Sequence, residues 1–492
     1  VSTVVTLAIA ALLLTERPFE IRVVDSATGR GVPLVQLETV NHLRYVTDSA
    51  GRIAFNEPGL MHTKVYFTVF SHGYSFPKDG LGYTGVAIDV RPGGSATVPI
   101  TRDNIAVRLC RLTGQGIYRD SVLLGKTTPL SDPVLNGGVL GQDTAQAEVY
   151  RGHMLWFWGD TDRASYPLGN FHTSGAVATF PRGLHDAGQG LDFHYFTASD
   201  GFVKPMVPSN DHHPIWVSGL VVLSGGASES LYGYFAQMKQ LGEIASSGLL
   251  KWDDDRNEFK IVQVYPKDRG WRYLDGHTVQ ADGYVLGNDP PNVRVPSNAQ
   301  SLQDPAAFEA FTCLNADGSV KRIDGRPDYR WQKALAPINS QIEDRLVKEG
   351  KLTLDETHFL PRDAQGNPVV VVSGSVHWNA FRKRWIAIFG QLAGTSELGE
   401  IWYAESDSPT GPFYAAVKVV THSRYTFYNP VHHAFLDADG GRTIFFEGTY
   451  TSEFSGSPDK TPGYQYNQIL YMLDLNDPRL AFARSSGPDR QR

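Results

Sequence analysis

Between Leu140 and Arg163 the chain reads LGQDTAQAEVYRGHMLWFWGDTDR, and no other stretch limits the fold as sharply. Ala145 to Tyr150 has strand character, Arg151-Gly152-His153 is a tight turn, and Met154 to Trp158 is an aromatic returning strand. An antiparallel hairpin sets the start of its first strand beside the end of its second, which predicts that Asp143 lies near Asp160 and Asp162 on one edge. The device recurs. Tyr428 to Thr451, YNPVHHAFLDADGGRTIFFEGTYT, turns at Ala438-Asp439-Gly440-Gly441 and is expected to set His432 and His433 against Glu447.

A chain of 492 residues exceeds one ordinary core. With 49 Gly, 29 Pro and 11% aromatic residues, it reads as many short strands joined by turns, an all-β class. A net charge of −7 without a long basic run argues against a nucleic-acid surface, which needs clustered Lys and Arg. Cys110 and Cys313 show no metal-ligand spacing and form at most one disulfide. Val4 to Leu14, VVTLAIAALLL, has the length of a signal-peptide core and is too short to span a bilayer, so residues 1–16 are expected to direct export, secreted or periplasmic. No membrane span is expected elsewhere.

Residues 17–102 are expected to form a small β-sandwich. Phe19 to Val24, Val32 to Thr39 and the turn before Ile53-Ala54-Phe55 carry strand and turn chemistry, and Asp48 is read as a turn cap. VVDSATGRGVPLVQLET, YVTDSAGRIAF and SHGY resemble the carboxypeptidase-regulatory-like modules, which implies a transthyretin-like or immunoglobulin-like sandwich without catalysis of its own. Residues 103–139 read as a connector in which Arg111 to Leu124 supplies a closing strand. From 140 to 480 the hairpins group into five sheets, the number expected of a five-bladed propeller, with an inserted helix over Ile338 to Glu349 and a tail at 481–492.

EIWYAESDSPTGPF, at Glu400 to Phe413, resembles the outer-strand signature of five-bladed propeller glycoside hydrolases, family 43 and its relatives. WFWGDT at Trp156 to Thr161 resembles the hairpin ending of arabinan-degrading propeller proteins. The resemblance implies a general-base aspartate before the first strand of the first blade, where Asp143 stands. At later blade openings, where the family carries its other carboxylates, this chain has His212, His213, His277 and His377.

Strand starts and returning-strand ends of a propeller meet at one mouth, which gathers Asp143, Asp160, Asp162, His213, His277, Asn288, His432, His433 and Glu447 as candidates. Glycoside hydrolysis needs one protonated and one ionised carboxyl, roles open to Asp143 and Glu447, while crowding by Asp160 would raise a neighbour's pKa as suits an acid. Elimination on a uronic acid, a polysaccharide lyase, would instead use His277 or His213 with Tyr428 or Tyr450 and Arg163. A non-catalytic sugar binder would stack sugars on aromatic faces such as Trp156, Trp158, Trp378 and Tyr428. No cofactor is required, though His432 and Asp162 could hold a divalent ion, Ca²⁺ or Zn²⁺, at the centre. The leading expectation is an exported glycoside hydrolase acting on a polysaccharide or oligosaccharide, with Asp143, Asp160, Glu447 and His277 in the chemistry and Arg163, His213, His433, Tyr428, Tyr450 and Trp158 on the substrate.

Overall fold

The computed structural model describes residues 16–183, 187–209, 213–225, 228–240, 242–288, 290–395, 397–422, 425–458 and 465–484. Residues 1–15 of the expected export segment and His212 fall outside them. The chain is nearly all-β, with 45% strand and 9% helix.

At the N-terminal end two four-stranded sheets face each other. One has the order Arg52–Phe55, Phe19–Asp25, Ser95–Arg102, Tyr74–Ser75, and the other Arg44–Val46, Gln36–Thr39, Lys64–Phe70, Gly85–Asp89. Alternation explains the packing: along Lys64–Phe70, Val65, Phe67 and Val69 turn inward onto Ile21, Val23, Leu37 and Phe55 while their neighbours face out. Asp48 caps its turn by accepting the Ala50 and Arg52 N–H groups at 2.9 and 3.1 Å. Its other oxygen accepts the Ser121 N–H and hydroxyl, each at 2.7 Å, so the cap also anchors the short helix Arg119–Leu123.

Five antiparallel sheets follow. The first is Ala145–Tyr150, His153–Trp158, Ser174–Ala178, Phe193–Tyr195, turning at Arg151 and Gly152 with φ of 50° and 78°. These left-handed values suit the two-residue turn of a twisted hairpin. The second is Ile215–Gly225, Ser228–Gln240, Glu243–Asp253, Glu258–Val264, and the third Val279–Ala281, Tyr284–Gly287, Val293–Pro296, Glu309–Thr312, Arg330–Gln332. The fourth is Val371–Asn379, Arg384–Gln391, Glu400–Ser406, Ala416–Thr421. The fifth, Thr426–His432, Thr443–Thr451, Asn467–Asp474, is completed by Val107–Arg111. That early strand lies slightly before the stretch expected to supply it, because 119–123 is helical and Arg108 and Arg111 are buried in the strand. Ser408 to Phe413 is a loop, and the outer strand of the fourth sheet comes after it.

The inserted helix is Ser340–Lys348, capped by the Asn339 side chain on the Ile342 N–H at 2.9 Å. Its buried Glu343 accepts the His358 and Phe359 N–H groups at 2.8 and 2.7 Å and the Tyr329 hydroxyl at 2.7 Å, so the helix pins a loop. The expected tail begins inside Pro478–Arg484, a 3-10 segment whose Leu480 and Ala483 are buried. Cys110 and Cys313 are free and buried. Among the described residues no helix is long and apolar enough to cross a membrane.

The first strands of the five sheets share a wall: Gln146 to Val149, Leu220, Val279 and Gln280, His377, and Val431 and His432 all line one cavity. A small three-stranded sheet, Val139–Gln142, Thr161–Arg163 and Tyr166–Asn170, extends from the first hairpin.

Candidate functional site

The first hairpin places its carboxylates as antiparallel geometry requires. The Asp143 N–H donates to the Asp160 carbonyl at 3.0 Å, and the Gly159 N–H donates back to the Asp143 carbonyl at 2.8 Å. Tyr428, on the first strand of the fifth sheet, donates its hydroxyl to Asp143 Oδ2 at 2.8 Å. Beside it the Asn429 amide donates to the Thr144 hydroxyl at 2.8 Å, and the Thr144 N–H donates to the Thr449 hydroxyl at 2.9 Å. Thr144 and Asn429 have φ of 42° and 49°, a left-handed backbone that a threonine adopts only when its surroundings hold it there. Gly159 is required by the same packing, since a Cβ there would stand 2.6 Å from Asp143 Oδ1.

Burial raises both carboxyls above the ordinary aspartate range. Asp160 is pushed up to about 7, by burial first and then by the negative charge of Asp143. Asp143 is raised by burial, against which the Thr144 and Tyr428 hydrogen bonds pull. The Tyr428 phenol is in turn raised well above its usual value, by burial and then by Asp143. Asp160 Oδ1 is buried without a hydrogen-bond partner.

Trp216 and Asn170, which no sequence pattern singled out, belong to the surroundings of Asp160. The Trp216 indole, which favours the charged form of Asp160, also donates to the Phe171 carbonyl at 3.1 Å. Asn170 stands across the small sheet from Thr161. Asp162 lies on the same short strand, and Arg163 pairs with Asp200 at 3.2 Å and covers the Phe202 ring at 4.3 Å. His213 is half-buried just before Ile215–Gly225.

A second group of titratable side chains lies further along the first strands. The shared cavity holds about 300 Å³ and is lined by Glu148, His277, His377, His432 and His433. Burial pushes Glu148 up to about 8. It pushes His277 down to about 3, with help from His433, and His377 well below its usual value, with help from the other imidazoles. His432 bonds Asp437 at 2.7 Å through Nε2. His433 Nε2 donates to Glu447 Oε1 at 2.6 Å.

Glu447 is wholly buried and also accepts the Trp156 indole N–H at 2.8 Å. Its partner His433 lines the shared cavity, so Glu447 holds a cavity imidazole from within the core. Tyr450 lies against the N-terminal sheets, where its hydroxyl meets His72 Nδ1 at 2.9 Å and its ring stacks on Tyr425. Trp158 is in the core against Phe193, Asn288 braces a loop through Asn292, and Trp378 is half-exposed at a hairpin end. The structure thus brings together Asp143, Asp160 and Tyr428 but does not gather His277, Arg163 and Tyr450. Among the described residues no group of three or more His, Cys, Asp or Glu is arranged to hold a metal ion; His432 engages Asp437, and Asp162 is on the small sheet.

No family model and no curated protein matches the chain. Solved structures do. A protein from Bacteroides ovatus is 12% identical, covering 71% of this chain and 89% of its own, with a TM-score of 0.46. An exo-β-1,3-galactanase from Phanerochaete chrysosporium, solved with β-1,3-galactotriose, is 9% identical over 75% of this chain and 65% of its own, at 0.38. An α-L-arabinanase from Penicillium chrysogenum, solved with arabinobiose, is 11% identical over 76% and 98%, at 0.37. Further neighbours are family 43 glycoside hydrolases. Likeness this distant does not argue an activity, which has to come from the site itself.

Proposed function

We propose that this chain is an exported glycoside hydrolase: a five-bladed propeller over 140–480, joined through residues 103–139 to a sandwich module over 17–102, that cleaves an oligosaccharide or polysaccharide at Asp143 and Asp160. The blade reading is supported by the five first strands that share one cavity wall. The activity is supported above all by the contrast between the two aspartates. Neighbouring carboxyls in an enclosed site ionise in sequence, and the charge on the first holds the proton on the second. Tyr428 donates to Asp143 and favours the charge there, whereas Asp160 has an unpartnered buried oxygen and is raised to about 7. Asp160 then gives its proton to the glycosidic oxygen as the C–O bond breaks, and Asp143 acts on water or on the sugar carbon.

Elimination on a uronic acid draws less support. Arg163 pairs with Asp200, the Tyr450 hydroxyl meets His72, and Tyr428, the other phenol open to that role, donates to Asp143. The test is a panel including β-1,3-galactan, xylan and arabinan, read for new reducing ends and for the ultraviolet absorbance of an unsaturated uronate. Reducing ends without that absorbance, lost in Asp143→Asn, are expected. Absorbance of an unsaturated product would remove the hydrolase reading.

A further inference from the structure

We infer that Gln468 is a positioning residue for Asp143: its side-chain amide holds the chain on both sides of the aspartate, directly on one side and through Thr449 on the other. The inference rests on the hydrolase reading for its consequence and on hydrogen bonds of the fifth sheet for its content.

Tyr428, Thr449 and Gln468 form one row across that sheet, with Thr449 opposite Tyr428 on one side and Gln468 on the other. Residues directly opposite in an antiparallel sheet project to the same face, so all three reach the approach to the first hairpin. The Tyr428 hydroxyl takes the Asp143 carboxyl itself. The Gln468 amide nitrogen donates twice, to the Gln142 carbonyl at 3.0 Å and to the Thr449 hydroxyl at 2.9 Å. That hydroxyl also accepts the Thr144 N–H at 2.9 Å. Gln142 and Thr144 are the residues before and after Asp143.

Chemistry fixes the orientation of the amide. A carbonyl only accepts, so the end of Gln468 that faces Gln142 is the nitrogen. The buried amide oxygen finds no hydrogen-bond partner among the described residues, so the two donor bonds place the side chain. The clamp also has something to hold. Thr144 keeps φ of 42°, a left-handed value that relaxes once its N–H is released, and Asp143 moves with it. Gln142 is held from its own sheet as well, its side chain bonding Ser174 and Tyr195 at 2.8 Å, so loss of the clamp shifts Asp143 rather than freeing it. Gln468 and Thr449 are wholly buried, and their effect on turnover passes through the residues they hold.

The test uses Gln468→Met, which keeps the length and loses both donors, and Thr449→Val, which keeps the shape and loses the shared oxygen. Each is made alone and combined with Asp143→Asn. Both kcat and KM are measured on a substrate confirmed by reducing ends, and the Asp143 carboxyl, assigned by its absence in Asp143→Asn, is titrated by carbon-13 NMR. Each variant is expected to lower kcat about tenfold, with KM within about twofold of the parent, and to raise the Asp143 midpoint as the Tyr428 bond lengthens. On Asp143→Asn neither should cost more than about twofold further, since a positioning residue then has nothing left to place. Unchanged kcat in a folded variant, an undiminished loss on Asp143→Asn, or an unmoved midpoint would overturn the role. Thr449→Val, being isosteric, decides the matter if Gln468→Met fails to fold. The titration needs no turnover, so the two failures separate: normal turnover in Asp143→Asn would remove the hydrolase reading, whereas a shifted midpoint would still uphold the clamp.

Discussion

The Tyr428 hydroxyl donates to Asp143 at 2.8 Å across 285 residues of sequence, joining the first strand of the last sheet to the approach of the first. One bond thus ties the fifth sheet to the first and bears on the state of a carboxylate. Tyr428→Phe removes the donor and keeps the ring, so Asp143 should hold its proton to higher pH. Turnover is expected to fall about tenfold or more, with the rising limb of the pH profile moved upward, as measured by kcat between acid and neutral pH.

Gly159→Ala adds one methyl group where a Cβ would press on Asp143 Oδ1 at 2.6 Å. No functional group is lost, yet displacement of Asp143 should lower kcat by about a hundredfold, the scale on which small misplacements act. Normal kcat in this variant would show that the position of Asp143 is irrelevant to the chemistry.

Stability should depend on pH in two opposite ways. Asp160, Glu148 and Glu343 are raised to about 7, 8 and 7, so from their ordinary values near 4 upward the folded chain holds more protons than the unfolded one. Their contribution is complete at acid pH and is lost as pH rises through those folded values. His277 is lowered to about 3 from 6.5, so the unfolded chain binds more protons in that interval and stability rises with pH there. Above about 6.5 the carboxyls decide, and the melting temperature is expected to fall toward pH 8. Glu148→Gln should flatten that fall; an equally steep fall in the variant would assign it to other groups.

Glu447→Ala would leave the His433 and Trp156 N–H groups buried without their acceptor. A loss of about 3 kcal/mol in denaturant unfolding is expected, and less in Glu447→Gln. A variant as stable as the parent but without turnover would move Glu447 from a structural role into the chemistry.

Much of this arrangement was legible in the sequence where the local signal was strong. Ala145 to Trp158, Arg384 to Gln391 and the Ser340–Lys348 helix show clear periodicity, and their bounds fall close to expectation. Val293–Pro296 and Arg330–Gln332 were hidden because three or four residues carry no period, and VRLCR because its buried arginines read as a polar segment. In the site, hairpin geometry placed Asp143 beside Asp160. It gave no means to see that Glu447 is wholly buried against Trp156, since that depends on a residue from another sheet. Asn170 and Trp216 were missed because their role comes from contacts between separate segments; the polar Asn170 inside LGNFHTSGAV was the one signal available.

The most direct measurement is turnover of Asp143→Asn, Asp160→Asn and the double variant on a substrate confirmed by release of reducing ends. Each single change should cost at least about a hundredfold, and the double variant should be little worse than the poorer single one, because the two groups act in one step. Near-normal turnover in either single variant, with the fold intact, would contradict the assignment of catalysis to this pair.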